Sequence, residues 1–503
     1  MTRSPLPIDP VLPQVVAALR DSSAIVLQAP SGAGKTTRVP PALLDAGDLA
    51  GRIILLEPRR IAARAAARRM AFERGSVPGD LFGWQVRFER QAGRNTRVLA
   101  VTPGILLRLL LDDPFLEGTA VVVFDEFHER GLETDLALGL VRLVQANVRP
   151  DLKVVVMSAT LRAADVAEYL GNCPVIASEG RTLPVEVRYE PKRKDDRWPL
   201  AIARAVARIL DETPGDVLAF LPGVGEIRAA AEDLAELIGD EALILPLHGE
   251  LPAEEQDRAL QPQGRRKIVL ATNVAETSVT VEGVTAVVDT GLARQLIYDP
   301  SVGLDRLELV NISRASADQR AGRAGRTRPG LCVRLWSEVS HRSRPAQTDP
   351  EIRRVDLAGA ALQLLAMGES VETFPWLDPP HEHVVRQSLE LLERLGAVQS
   401  GRLTDLGRSL ARLPVHPRLA RLMLEGALLG EPRRVSLAAA LLSERDPFPR
   451  GPATHTTPSD LLDRVEALEG EGSAMAPANR GAARFILRAR DQLVRLVNGE
   501  PGA

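Results

Sequence analysis

The sequence predicts an α/β protein with two tandem parallel sheets, followed by a mainly helical part. Three observations carry that expectation. Short apolar, β-branched runs alternate with helical stretches from the start; the same alternation begins again after a proline- and charge-rich interruption; and strands fade from about Asp349 onward. At 503 residues the chain exceeds what one hydrophobic core usually organises, and such a length favours about three or four domains. Its composition, 45% hydrophobic and 26% charged, is that of a globular protein rather than a disordered or fibrous one.

The first series of strand-like runs is Ala24 to Leu27, Ile53 to Leu56, Val98 to Val101, Val121 to Phe124 and Val154 to Met157. Each is followed at once by polar or glycine-containing residues, and in open α/β sheets the ligand crevice lies at those carboxyl ends. After the interruption Pro184 to Pro199, the second series is Val217 to Leu221, Leu243 to Leu247, Lys267 to Leu270 and Ala286 to Val288. Gln295 to Ile312 alternates around Asp299-Pro-Ser-Val-Gly303, a hairpin signal whose plain alternative is an ordinary surface hairpin. Amphipathic helices rich in Leu, Ala and Arg then take over, punctuated by Asp378-Pro379-Pro380 and Gly401. Gly470 to Ala478 reads as a small-residue linker before one more amphipathic helix.

Two cysteines, Cys173 and Cys332, lie far apart in apolar, strand-like surroundings, which excludes a disulfide framework or a zinc site and makes both core residues. The apolar runs are too short to cross a bilayer and no signal peptide is evident, so the expected location is cytoplasmic, with no membrane partner. With a formal net charge of −3, nucleic-acid binding has no support from bulk charge and must rest on motifs.

The first run leads into Ala29-Pro-Ser-Gly-Ala-Gly-Lys35-Thr36-Thr37. Gly32, Ala33, Gly34, Lys35, Thr36 and Thr37 there make a phosphate-binding loop, its N–H groups and the following helix N-terminus forming an anion site. Lys35 is placed to reach the β and γ phosphates of a nucleotide, and Thr36 to ligate Mg²⁺. Val121 to Phe124 delivers Asp125-Glu126-Phe127-His128-Glu129-Arg130 to a strand end. Asp125 can hold Mg²⁺ through water, and Glu126, also near the metal, can orient and deprotonate the attacking water. His128 has no second His or Cys at ligand spacing, so a polar coupling role fits it better than metal binding.

With these residues the sequence resembles the DEAH-box ATP-dependent helicases of superfamily two, most closely their HrpB-type bacterial branch, whose box reads DEFH as here. The resemblance runs through Glu57-Pro-Arg-Arg-Ile-Ala-Ala-Arg64, Thr102-Pro-Gly-Ile-Leu-Leu-Arg108, the DEFH box, Ser158-Ala-Thr160 and Phe220-Leu-Pro-Gly223. It continues in Ala271-Thr-Asn-Val-Ala-Glu-Thr-Ser278 and Gln319-Arg-Ala-Gly-Arg-Ala-Gly-Arg326. It implies two tandem RecA-like domains, 1–176 and 177–348, then a winged helix at 349–414 and a ratchet-like helical domain at 415–503 that is incomplete. Gly401-Arg-Leu-Thr-Asp-Leu-Gly407 would be the wing, and Gln295 to Ile312 the hairpin that abuts a duplex junction.

By the same resemblance Arg323 and Arg326 are arginine fingers, and Gln319 touches the γ phosphate or the attacking water. Donors arriving from the opposite domain make catalysis depend on closure. Ser158 and Thr160 resemble the motif that couples phosphate state to domain movement, although a strand-end Ser or Thr also serves as a helix cap or ST-turn. Ser278 resembles a γ-phosphate sensor, and Glu282 stands where an acid, more often Asp, contacts the ribose. Arg69 matches the arginine that stacks on the base, with Leu260 at the usual aromatic position opposite. Candidate nucleic-acid contacts are Arg59, Arg60 and Arg64, then Thr102 and Arg108, and Thr272 and Asn273 on the second domain; any one of the arginines could equally be a solvated helix face. The implied function is an ATP-dependent RNA or DNA helicase that couples NTP hydrolysis with Mg²⁺ to translocation on single-stranded nucleic acid. The alternative is a nucleotide-gated nucleic-acid clamp or scaffold with little unwinding.

Overall fold

The structure is a computed structural model. It describes residues 5–87, 89–159, 163–178, 183–277, 279–299, 304–326, 328–444, 446–448, 459–470 and 478–499. The chain divides into two compact units, Met1–Val355 and Asp356–Ala503.

In the first unit, one sheet contains β1 (Ala24–Gln28), β2 (Arg52–Leu56), β3 (Phe82–Val86), β4 (Glu89–Gln91), β5 (Val98–Val101), β6 (Thr119–Phe124), β7 (Lys153–Ser158) and β8 (Val175–Ala177). Their order is β4-β3-β5-β2-β6-β7-β1-β8. All pairs are parallel except β3 with β4. The central strands are continuous Val, Ile, Leu and Ala runs because helices cover both faces, leaving no solvated side for alternation.

A second sheet follows, made of β9 (Val185–Tyr189), β10 (Asp216–Phe220), β11 (Leu243–Leu247), β12 (Lys267–Ala271) and β13 (Val284–Asp289). After β13 comes the antiparallel hairpin β14 (Leu292–Asp299) and β15 (Leu304–Asn311), and β16 (Gly330–Arg334) returns to the sheet. The order is β11-β12-β10-β13-β16-β9, parallel throughout. Strand β9 lies inside the stretch expected to be an interruption. Val185-Glu-Val-Arg-Tyr189 is an edge strand in which the charged Glu186 and Arg188 interrupt the apolar run and hide the strand signal.

Both cysteines are free and buried, but only Cys332 lies in a strand; Cys173 sits in the turn before β8. Burial pushes the Cys173 thiol up to about 11 and the Cys332 thiol up to about 12, so neither is a nucleophile at neutral pH.

The second unit begins with helices Ala358–Ala366 and Glu382–Arg394. A two-stranded antiparallel ribbon, β17 (Val398–Gln399) and β18 (Arg402–Leu403), turns through Ser400 and Gly401, both at positive φ. The next helix, Asp405–Ala411, is capped by Thr404, whose hydroxyl accepts from Gly407 N at 2.9 Å. Helices Pro417–Leu428, Pro432–Ser443, Asp460–Glu469 and Arg480–Val497 complete the unit. Among the described residues no helix is long and apolar enough to cross a membrane.

Candidate active site at the strand ends

The phosphate loop leaves β1 and is fixed by a hydrogen bond from Ala29 N to the Ser158 carbonyl at the end of β7. Gly32 and Gly34 take φ of 83° and 97°, the left-handed region that favours glycine. At Gly34 a side chain is excluded a second time, because a Cβ there would fall 2.6 Å from Leu6 Cδ1. Helix Lys35–Asp45 starts on this turn, so its free N–H groups open toward the loop. Lys35 is buried and folds back, donating from Nζ to the carbonyls of Ala29 at 2.9 Å and Pro30 at 3.3 Å. Thr36 donates its hydroxyl to Asp125 Oδ2, and Asp125 Oδ1 accepts from Glu126 N at 2.8 Å.

Three carboxyls are buried here: Glu57 at the end of β2, then Asp125 and Glu126 at the end of β6. Burial, then the neighbouring Glu126 charge, raises Asp125 to about 6. Burial also acts on Glu126, but Lys35, His128, Arg323 and Arg326 outweigh it and hold that carboxyl below its ordinary range. Glu57 is pushed well up by burial and by Asp125 and Glu126. Glu126 sits at φ 46°, an uncommon conformation for a residue other than glycine, and Oε2 of its carboxylate lies 3.4 Å from His128 Nδ1.

A hydroxyl beside a buried carboxylate is a hard-oxygen set that suits Mg²⁺, so Thr36 and Asp125, with Glu126 adjacent, fit that ion. Among the described residues no cluster of three or more His, Cys, Asp or Glu could hold a metal. Mg²⁺ would therefore share its coordination with nucleotide phosphates, as that ion commonly does.

Helix Arg314–Ala321 and the turn after it bring the second sheet's residues to this place. Arg326 lies over the phosphate loop: a Cβ on Gly32 would stand 3.2 Å from Arg326 Cζ and Nε. Its Nη1 donates to Thr280 Oγ1 at 2.6 Å, and burial lowers the guanidinium to about 10. Arg323 is 3% exposed and directed differently. Its Nε donates to the Glu276 carbonyl at 2.8 Å, Nη1 to that of Val279 at 2.6 Å, and Nη2 to those of Glu276 and Thr277. Gln319 is half-buried on the same helix. Ser158 is fully buried, while Thr160 and Ser278 lie outside the described residues.

Arg69 is exposed and pairs with Glu73 at 2.8 Å. Glu282 is exposed, and its N–H donates to the Leu260 carbonyl at 3.4 Å; Leu260 packs on the second sheet's core. Of the nucleic-acid candidates, Arg59, Thr102, Thr272 and Asn273 follow strand ends while Arg60, Arg64 and Arg108 lie on the helices that come next, and several are joined across the two sheet domains. Arg59 Nη1 donates to the Asn273 carbonyl at 2.7 Å, and Arg64 Nη2 to Gln256 Oε1 at 3.0 Å. Arg60 and Arg108 are half-buried, Thr102 precedes helix Pro103–Asp112, and Thr272 precedes the turn Asn273–Ala275.

Sequence reasoning missed Glu57, Glu129, Thr277 and Arg320. Arg320 is 1% exposed and pairs with Glu276 at 2.8 Å and Asp289 at 2.9 Å. The signal for Glu57 was available, because it follows a buried strand run as Asp125 does.

Comparison with known proteins bears on the whole chain. The DEAD/DEAH box helicase family matches residues 10–169, the helicase conserved C-terminal domain residues 201–328, and the winged-helix part of the helicase associated domain (HA2) residues 388–415. The chain is 42% identical to the ATP-dependent RNA helicase HrpB of Escherichia coli over 97% of its length, covering 62% of that protein. It is 41% identical to Escherichia coli HrpA over 88% of its length, covering 35% of that protein. A crystal structure of Escherichia coli DEAH/RHA helicase HrpB superposes with a TM-score of 0.86 at 40% identity, covering 98% of this chain and 63% of that one. The chain thus spans about three fifths of the HrpB sequence it matches.

Proposed function

This chain belongs to the DEAD/DEAH-box helicases of the HrpB type, with two RecA-like domains, a winged helix and a helical region, and from that premise we propose that it is an ATP-driven motor that moves on single-stranded RNA. One observation carries the reading: Arg326 of the second sheet's domain rests on Gly32 of the phosphate loop, in the field of Glu126. An arrangement that needs both domains for one reaction converts hydrolysis into relative motion.

Lys35 leaves the Ala29 and Pro30 carbonyls to take the β and γ phosphates, while the loop N–H groups and helix start bind the rest of the chain of phosphates. Thr36 and Asp125, together with the nucleotide, would hold Mg²⁺, which would supply neutralisation of phosphate charge. Glu126, held ionised by its cationic neighbours, orients the water and accepts its proton. Arg326 stabilises charge developing on the transferred group, and Gln319 lines the same side. Arg323 is the second finger once its carbonyl bonds are exchanged for phosphate. His128, Ser158 and Thr160 couple this chemistry to domain movement; Ser278 senses the γ phosphate, and Arg69 and Glu282 attend to the base and ribose. Arg59, Arg60, Arg64, Thr102, Arg108, Thr272 and Asn273 face the RNA backbone, whose repeating phosphates bind with little sequence preference.

The test is ATP hydrolysis with and without a polyribonucleotide. RNA is expected to stimulate turnover, with strand separation of a tailed RNA duplex that depends on ATP. Hydrolysis indifferent to RNA, with no separation, overturns the reading.

A further inference from the structure

We propose that Glu129 and Thr277 form a latch between the two sheet domains that positions the reacting groups for hydrolysis, an inference that deepens the reading above and rests on it. Each acts on the reacting groups through a neighbour, Glu129 through the turn it shares with Glu126 and Thr277 through Arg323, so both are positioning residues.

Three sets of contacts carry the inference. Glu129, on the first domain, accepts the Thr277 hydroxyl of the second domain on Oε1, and holds Arg59 on Oε2 at 3.1 and 3.3 Å. Arg59 crosses to the second domain in turn, through the Asn273 carbonyl at 2.7 Å. Thr277 is fixed from behind, because its own carbonyl accepts from Arg323 Nη2 at 2.6 Å, and Arg323 also grips Glu276 and Val279. A displacement of Thr277 is therefore transmitted to the turn that carries Arg323 and Arg326. Finally, Glu129 N donates to the Glu126 carbonyl at 2.9 Å within one turn of 3₁₀ helix, Phe127–Glu129. Glu126 and Arg130 bound that turn at φ 46° and 47°. Left-handed residues at both ends leave the turn little freedom to relax, so Glu129 and Glu126 move as one body.

The latch thus joins the turn bearing the base to the turn bearing the fingers, by a route independent of the nucleotide. Its hydrogen bonds exist only while the domains are together. It should therefore govern turnover in the closed state and leave nucleotide binding to the phosphate loop nearly unchanged.

The experiment is a double-mutant cycle in the full chain with Glu129→Ala, Thr277→Val and both together. Turnover, KM for ATP and thermal melting are read for each, beside Glu126→Gln as a reference. Each single change is expected to lower kcat roughly tenfold with KM within about threefold, and the double change to be no worse than the worse single one. Thr277→Ser, which keeps the hydroxyl, should recover turnover relative to Thr277→Val, and Glu129→Gln, which keeps an acceptor, relative to Glu129→Ala. These two conservative variants decide the matter even if a truncated one folds poorly. Additive losses in the cycle, or no recovery by either conservative variant, overturn the latch. Continued hydrolysis by Glu126→Gln would instead overturn the functional reading beneath it, so the two failures are told apart.

Discussion

At the scale of single residues, the two acids after β6 are adjacent in sequence and opposite in titration. Asp125 is raised to about 6 by burial and by Glu126, whereas the cations around Glu126 hold it low. Asp125 therefore binds its proton more tightly in the fold than its ordinary value of 3.8 allows in an unfolded chain. Its contribution to stability is full below that value and is lost as pH rises through about 6. Magnesium competes with the same proton. The Mg²⁺ concentration giving half-maximal hydrolysis should climb by up to about tenfold per pH unit below the Asp125 value. A Mg²⁺ titration of turnover between pH 5 and 8 checks this, and a requirement flat across that range removes Asp125 from the metal site. Glu126→Gln probes the other acid: it should bind Mg²⁺-ATP about as well as the wild type while hydrolysis falls by at least about a hundredfold. Binding of a fluorescent ATP analogue and phosphate release measure the two halves separately. Wild-type turnover would take Glu126 out of the role of base.

At the scale of elements, what could be read in advance depended on how each one is covered. Strands β1, β2, β5, β6 and β7 are buried on both faces, so each appears in the sequence as an unbroken apolar run. The hairpin of β14 and β15 was legible from alternation, its tip lying outside the described residues. Edge strands were not: β9 carries exposed Glu186 beside Arg188, and β4 is exposed along its whole length. Helix contacts in the second unit were equally hidden, because a glycine inside a helix pattern reads as a weak spot rather than a fit. Gly426 lies inside Pro417–Leu428, and a Cβ there would stand 2.1 Å from Val435 Cγ1 and 2.8 Å from its Cβ. Alanine would gain about 1 kcal/mol in helix propensity. Overpacking against a β-branched neighbour that cannot rotate away costs about 1–3 kcal/mol, so the net sign is destabilising. Gly426→Ala should lower the denaturation midpoint, and Val435→Ala added to it should restore much of the loss. A Gly426→Ala protein as stable as the wild type would show that the two helices shift apart at little cost.

At the scale of the first unit as a whole, the individual motif residues were legible and their partners were not. Periodicity and spacing place the phosphate loop and the two acids at strand ends, but the bridges between domains join residues 148 positions apart for Glu129 with Thr277, 214 for Arg59 with Asn273, 192 for Arg64 with Gln256 and 189 for Arg68 with Asp257. Nothing local encodes such pairs. These bridges are polar and partly open to water, and an exposed ion pair such as Arg68 with Asp257 at 2.8 Å contributes only about 0–1 kcal/mol. One apolar side chain works differently. Ile61 leaves the first domain's helix Arg60–Glu73 and is buried in the second domain's cluster with Phe220, Leu247 and Val274. Burying such a side chain is worth about 1.5–3 kcal/mol, comparable to several surface ion pairs together. Closure should accordingly depend more on Ile61 than on any one bridge. Ile61→Asp would place a carboxylate in that apolar cluster, which is avoided most easily by leaving the domains apart. Nucleotide affinity, set mainly by the phosphate loop of the first domain, is expected to stay within about threefold, while kcat falls by at least about tenfold because Arg326 no longer reaches the phosphate loop. Ile61→Leu, of equal volume, should remain close to wild type in both. Equilibrium binding of a fluorescent ATP analogue beside steady-state turnover separates the cases. If Ile61→Asp turns over normally, closure is held by the polar bridges and the apolar contact is incidental; if it loses nucleotide binding as well, the substitution has damaged the first domain itself.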